Sequence, residues 1–447
     1  MSLASTFPGL LSSAPGYIFA ATVFGEAGTV DAYLQFEAAL ACTEAELGII
    51  PREAASSIVN ACRRERLDTR ALQEQASLVG YPIVPLVDML AELAGQHGQW
   101  IHFGTTTQDV MDTAMILQIR QVGDFVISGA AEVEQVLATL CQKHRRTPMA
   151  GRSKLQHGTP ISFGYKVAVW LDQLHRTRLR LSSALQEAYV LQFGGANGTL
   201  SSLKCEGTKV RRLLAAKLEL SEPDISWHVT RDRMAALSAA TSALHAAFAK
   251  IALDIALMAS TEVGELSEPF ANGRGSSSTM PQKRNPVICE AIIEAAREAQ
   301  HTPALILDAM LQEHERGIGH AYRERTALCR DLTQLAGTVS LAKELLGGVE
   351  VNVKRMKENL NATEGLIYAE AIMIHLSQTL GRIKAHHLLA ELSRKSQNRS
   401  PGLSTFQEAG IKVPEHLFSA EMEIDAAQPM IDRVLEKLMK PEGSKHL

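Results

Sequence analysis

The chain has 447 residues, more than one hydrophobic core organises, so roughly two to four folded units are expected. Hydrophobic residues at 46% and charged residues at 21% exclude a disordered chain, and a formal net charge of −4 argues against a nucleic-acid binder. Six cysteines (Cys42, Cys62, Cys141, Cys205, Cys289, Cys329) stand singly with no Cys-x-x-Cys pair, which disfavours a zinc knuckle and suits a reducing compartment.

The first residues, Met1-Ser2-Leu3-Ala4-Ser5-Thr6, lack the basic start and unbroken apolar stretch of a signal peptide. No apolar run reaches the ~18 residues a membrane span needs, so no membrane is expected and the cytoplasm is the expected location. Up to about residue 100 the chain reads as mixed helix and loop. Segment 102–113 follows, where His102, Thr105, Thr106, Thr107 and Gln108 offer a dense set of hydroxyl and amide groups. Asp109 and Asp112 suit a cap on the next helix, and capping and ligand binding are compatible here. That helix is marked by an apolar seam through Ile116, Ile119, Val126, Ala130, Val133, Leu137 and Leu140.

Segment 151–160 interrupts the helices and carries Arg152, Lys154, Gln156 and His157, a cationic patch at one end of a bundle. A lone histidine there is more often a satisfied structural residue than a catalyst. From Tyr165 to Leu191 the chain has no glycine or proline and places Val167, Trp170, Leu171 and Leu174 on a second seam. A polar break at 194–199 precedes the longest clean stretch, Arg233 to Val263. There Leu237, Thr241, Leu244, Phe248, Ile251, Ile255 and Met258 repeat by steps of four and three, which predicts a helix of about 30 residues and ~45 Å. Several such helices in one chain imply a bundle whose seams are core. The chemistry is then expected in the interruptions.

Segment 272–286 is the most suggestive of these. Its glycines and serines hold a helix poorly and Pro281 breaks one. Lys283, Arg284 and Asn285 behind them are donors suited to a carboxylate. A lid closing on an anion and a solvated hinge both fit this composition. Glu313-His314-Glu315-Arg316, with His320, Arg323 and Glu324, is charged throughout and reads equally as an exposed helix face. It lacks the histidine pair of a zinc protease. No Gly-x-Gly-x-x-Gly follows a strand, and neither a P-loop nor a Gly-x-Ser-x-Gly elbow is present, so no metal or cofactor is expected. After about 350 the helices shorten. The expected domains are 1–112, a central bundle at 113–352 with the serine loop, and a small helical domain at 353–447.

Together these segments resemble the fumarase/aspartase superfamily. Ser277, Ser278, Met280, Pro281, Lys283 and Asn285 fit its signature Gly-Ser-Ser-x-x-Met-Pro-x-Lys-x-Asn, with Ser276 at the glycine position and Gly275 just before it. Two further regions match, His102-Phe103-Gly104-Thr105-Thr106-Thr107-Gln108-Asp109 and Gly151-Arg152-Ser153-Lys154-Leu155-Gln156-His157. The resemblance implies an all-α, three-domain chain with a central long-helix bundle. It also implies a homotetramer whose active sites are shared between subunits, acting on a small polycarboxylate. Such enzymes add or eliminate a group beta to a carboxylate through an aci-carboxylate carbanion, and a serine of the mobile loop moves the carbon-bound proton.

Within the superfamily the chain resembles the cycloisomerase branch, which lactonises a muconate tricarboxylate in aromatic degradation. The likeness rests on Leu191-Gln192-Phe193-Gly194-Gly195-Ala196, on Trp227-His228 followed by Arg231-Asp232-Arg233, on Glu313-His314-Glu315-Arg316, and on Ala385-His386-His387-Leu388-Leu389. It implies Ser277 or Ser278, with His157, as catalytic groups. Lys283, Asn285, Thr106 and Thr107 would hold the enediolate, and His102, Arg152, Lys154, Gln156, His314 and Arg316 would bind substrate. Relatives that release amine or water carry a proton-donating histidine where Lys154 stands. A carboxylate, whose acid has a pKa of ~4, leaves or attacks without that proton, so Lys154 disfavours an amine lyase. The segment His320-Ala321-Tyr322-Arg323-Glu324-Arg325 replaces the branch's tryptophans and adds cationic character. A lyase releasing fumarate from a succinyl adduct is the alternative reading, and a non-enzymatic structural relative a remote one.

Overall fold

Helix makes up about 70% of the computed structural model, with few strands. The structure describes residues 9–363, 365–395 and 403–439, and the side chains of His320, Ala321, Lys395, residues 403–405 and Met439 lie outside what is described. In chain order the helices begin with α1 (Pro15–Phe24), α2 (Glu26–Glu46), α3 (Arg52–Ala61), α4 (Thr69–Val79), α5 (Ile83–Ala94) and α6 (Thr107–Lys143). Strands β1 (Pro148–Ser153) and β2 (Gln156–Ser162) lead to α7 (Phe163–Ala188), α8 (Gly207–Lys217), α9 (Asp232–Met258) and β3 (Leu266–Ser267). Then come α10 (Val287–Ala299), α11 (Thr302–Asp308), α12 (His320–Gly347), β4 (Glu350–Val351), α13 (Val353–Leu360), α14 (Ala369–Leu380), α15 (Arg382–Lys395), α16 (Leu403–Glu408) and α17 (Glu421–Met439).

The three apolar seams become three long helices, α6 of 37 residues, α7 of 26 and α9 of 27. Ile116, Ile119, Val126, Val133 and Leu137 on α6 are buried, as are Val167, Trp170, Leu171 and Leu174 on α7. On α9 the apolar seam positions are buried, and so is Thr241, whose hydroxyl donates to Asp331 at 2.7 Å. Among the described residues α9 alone is long and apolar enough to cross a membrane, and half of that stretch is buried in the protein. The 28 residues of α12 form no apolar seam in the sequence, because Glu324, Asp331, Thr333 and Thr338 are themselves buried in it.

Two compact units divide the chain. The first draws on the described part of Met1–Ala130 with Thr177–Ala246 and Glu294–Leu341. In it α2 packs against α1, α3 and α8, and α5 against α3 and α4. Asp68 caps α4 by accepting from the Ala71 amide at 3.0 Å, and Gly80 ends it at φ 99°, a left-handed turn that suits glycine.

The second unit draws on Ala131–Arg176, Ala247–Ile293 and the described part of Ala342–Leu447. Here α13 packs on β1 and α17 on β2, and α14 pairs with α15. Leu360, Ile372, Leu376, Phe406, Leu417 and Ile424 share one apolar cluster. The segment expected as a polar interruption, 151–160, lies in an antiparallel hairpin. Ser153 pairs with Gln156, and the two residues between them, Lys154 at φ 50° and Leu155 at φ 64°, are both left-handed. This is the geometry of a two-residue hairpin turn, built without the Asn-Gly or Asp-Gly that announces one.

Candidate active site

In the first unit, the 102–109 segment is organised by a buried carboxylate. Asp109 accepts from the Thr105 hydroxyl and the Thr106 amide, each at 3.2 Å, so it caps α6 from within the first turn. It also accepts from the Gly194 and Gly195 amides at 3.0 and 2.9 Å and lies 2.7 Å from His228 Nε2. One side chain thereby joins the threonine loop, the 194–195 backbone and the Trp227-His228 pair. Thr106 and Thr107, the two hydroxyls expected at substrate, make no side-chain hydrogen bond among the described residues and are half-buried.

Gln108 extends the same network. Its amide donates to Asp112 at 3.0 Å and to the His228 carbonyl at 2.9 Å, and its oxygen accepts from Arg316 at 2.9 Å. Arg316 also donates to the Ala196 carbonyl at 2.6 Å, so it brings the 313–316 segment to the first motif. His314 beside it is exposed, at φ 49°. Glu324, which the sequence left open as part of an exposed face, is 1% exposed and paired with Arg231, which also donates to Asp112 at 2.9 Å. Burial pushes the Asp112 carboxyl up, but the Arg231 and Arg325 guanidinium groups outweigh it and hold it below the usual range.

The second and third motifs both belong to the second unit. Arg152 forms a two-pronged pair with Glu265, at 2.7 and 2.9 Å, and Asn359 donates to the same carboxylate at 2.8 Å. Three residues on, Glu268 accepts from the Ile288 and Cys289 amides at 3.2 and 2.7 Å, at the N-terminal end of α10, where a carboxylate is favoured. Glu265 therefore anchors the hairpin and Glu268 the far end of the serine loop. Neither stood out in the sequence, since a single glutamate outside a motif carries no local signal. Lys154 and Gln156 are exposed at the hairpin tip. The His157 ring is held below its usual pKa by burial and by Arg152, with Glu265 opposing, and its Nδ1 is buried with no partner among the described residues.

The serine loop is closed at its base. Ser276 bridges Arg284, and the Asn285 amide donates to the Gly275 carbonyl at 2.9 Å. Gly275 stands at φ 68°, where an added Cβ would lie 2.3 Å from the Asn285 carbonyl oxygen, so the backbone requires glycine here. Ser276 at the signature's glycine position is thus accommodated by a glycine one residue earlier. Arg284 turns to Glu350, at 3.3 Å, and to the Glu268 carbonyl, so it braces the loop. Ser277 Oγ accepts from the Met280 amide at 3.1 Å and the Thr279 amide at 3.3 Å. Ser278 and Lys283 are exposed and make no side-chain hydrogen bond among the described residues. Two amides aimed at one hydroxyl oxygen favour its charged form, which a serine that moves protons needs.

Among the described residues no group of three or more His, Cys, Asp or Glu is placed to hold a metal ion. A model of the lyase family matches residues 20–300. The chain is 40% identical over 373 residues to trans-aconitate decarboxylase 1 of Mycosarcoma maydis, covering 83% of this chain and 76% of that one. It is 39% identical over 378 residues to 3-carboxy-cis,cis-muconate cycloisomerase of Pseudomonas aeruginosa, covering 84% and 82%. The crystal structure of the 3-carboxy-cis,cis-muconate lactonizing enzyme from Pseudomonas putida superposes with a TM-score of 0.87 at 33% identity, over 94% of this chain and 97% of that one. A long-helix scaffold with these three motif segments is that of a fumarase/aspartase-type enzyme. The chain belongs to the lyase family of that superfamily.

Proposed function

We propose that the enzyme is a 3-carboxy-cis,cis-muconate cycloisomerase, closing the tricarboxylate to 4-carboxymuconolactone. One substrate carboxylate oxygen attacks the conjugated double bond. The displaced electron pair moves onto the neighbouring carboxylate as an enediolate, held by Lys283, Asn285 and the Thr106 and Thr107 hydroxyls. Ser277 delivers its proton to the adjacent carbon and regains one from solvent, so the step is an isomerisation with no atom lost. His102, Arg316, His314, Gln156 and Lys154 bind the remaining carboxylates, and Arg152 sets the hairpin through Glu265. His157, whose pKa burial and Arg152 hold below its usual value, serves as a proton acceptor in the step. The working form is a homotetramer whose active sites draw on more than one subunit.

The observation that carries this reading is position 154, where an exposed lysine at the hairpin tip replaces a proton-donating imidazole. A carboxylate nucleophile needs no such proton. The 39% identity to the Pseudomonas aeruginosa cycloisomerase supports it. A second reading, decarboxylation of a tricarboxylate, is favoured by the 40% identity to the Mycosarcoma maydis decarboxylase. It uses the same carbanion and the same serine, with carbon dioxide leaving in place of ring closure. Purified enzyme is to be offered 3-carboxy-cis,cis-muconate, trans-aconitate and succinyl adducts in parallel. Loss of the diene absorbance with lactone formed is the expected result. Carbon dioxide from trans-aconitate, or fumarate from a succinyl adduct, with carboxymuconate untouched would overturn it.

A further inference from the structure

Behind the first motif, in the first unit, a pair of carboxylates is buried with one cationic partner. Glu37 and Glu44 lie two turns apart on α2, each 1% exposed. Glu37 Oε1 is 2.6 Å from His102 Nδ1, whereas both oxygens of Glu44 are without a hydrogen-bond partner among the described residues. His102 is held at φ 57°, a backbone conformation a non-glycine residue adopts only when its surroundings impose it, and Gly104 at φ 71° follows. The ring's other nitrogen, Nε2, makes no hydrogen bond among the described residues. Its side chain is 18% exposed, so one edge faces the buried glutamate and the other is open.

We propose that Glu37 is a positioning residue: by accepting a hydrogen bond from Nδ1–H of the His102 imidazolium it fixes the charged ring so that Nε2–H is presented to a substrate carboxylate. This rests on the assignment of His102 to the substrate site. The surrounding charges support it. His102 is faced by Glu37 from α2 and by Asp109 from α6. Burial works against the charged ring, but those two carboxylates outweigh it and raise its pKa above the ordinary value. Glu37 in turn is faced by Glu44 on its own helix and by Cys62 just beyond α3. Burial first, then Glu37, pushes Glu44 up to about 9 and Cys62 up to about 12, with Cys42 adding to the latter. Both neighbours are therefore neutral at pH 7, and Glu37 is the carboxylate in contact with His102. A carboxylate accepting from one imidazole N–H fixes the ring's orientation and favours the charged ring, in which the outward nitrogen also carries a proton.

The test uses the full chain with histidine labelled for NMR, the His102 signal being assigned by its loss in His102→Gln. In the wild type, His102 is expected to titrate above the ordinary ~6.5 of a free imidazole. Glu37→Gln is expected to lower that midpoint by about one pH unit or more. It should also reduce kcat/KM roughly 10-fold or more, chiefly by raising KM, and move the alkaline limb of the profile to lower pH. Glu44→Gln is expected to leave the midpoint and the profile in place. A Glu37→Gln enzyme of lowered Tm with unmoved midpoint and limb would make the pair a strut and overturn the proposal. A wild-type midpoint at or below ~6.5 would do the same even if Glu37→Gln fails to fold. The NMR midpoint needs no substrate, so failure of the muconate reading would appear separately, as absence of turnover in the wild type.

Discussion

Donors from three stretches of chain meet on the Asp109 carboxylate: Thr105 and Thr106 from its own loop, Gly194 and Gly195, and His228. Asn at this position would turn an N–H toward donors that need an acceptor. Asp109→Asn is therefore expected to cost ~3 kcal/mol or more in denaturant unfolding, the range for breaking a fully buried charged network. A change within about 0.5 kcal/mol, the range of surface substitutions, would show the network to be dispensable. Part of this was legible in the sequence. Asp109 follows Thr106 by three residues, the spacing of a helix cap, and that half of its role is local. Its bonds to residues more than eighty positions away leave no trace in local pattern, and neither do Glu37, Glu265 and Glu268. Lone carboxylates become informative only once the fold places a cation or a helix end beside them. Arg152 read as a substrate donor, yet in the structure its guanidinium is engaged by Glu265.

Among the elements, the long helices were the most legible. Seams at steps of three and four run through α6 and α9; Gly104 and Pro148 bracket α6 closely, whereas α9 begins well after Pro223 and ends before Gly264. α12 escaped because its buried face carries Glu324, paired with Arg231 just before α9, and Asp331, which accepts from Thr241 on α9. The β1–β2 hairpin escaped because Lys154 and Leu155 are not residues that favour left-handed backbone. The serine loop was legible as a loop, but not the closure of its base, where Gly275 packs against Asn285. Gly275→Ala places a methyl in that contact at a positive φ, which costs about 1–2 kcal/mol of strain that the loop relieves by opening. Turnover is expected to fall roughly 10-fold or more, since a loop displaced by ~1 Å misplaces Ser277 and Lys283 together. The Tm of the chain should move only a few degrees, because the loop lies outside the core. Full activity in Gly275→Ala would show that the base of the loop does not set the serine.

At the scale of the whole molecule, the first motif belongs to one compact unit and the other two to the second. Sequence order alone gave no hint of this division, because α6, α7, α9 and α12 each run through both units. The proposed tetramer with shared active sites makes a distinct prediction. His102→Gln and Ser277→Ala chains, each inactive alone, are expected to regain part of the turnover when unfolded and refolded together, because some sites then receive both intact residues. Mixtures as inactive as their parents would place every site within one chain. The central claim, that a polycarboxylate is protonated on carbon by Ser277, is tested most directly by the rate of diene loss from 3-carboxy-cis,cis-muconate in wild type and Ser277→Ala at equal concentration of folded protein. The account predicts turnover in the wild type and a fall of roughly 100-fold or more in the variant, the loss typical of removing a proton-transfer group. Equal rates in the two proteins would contradict it.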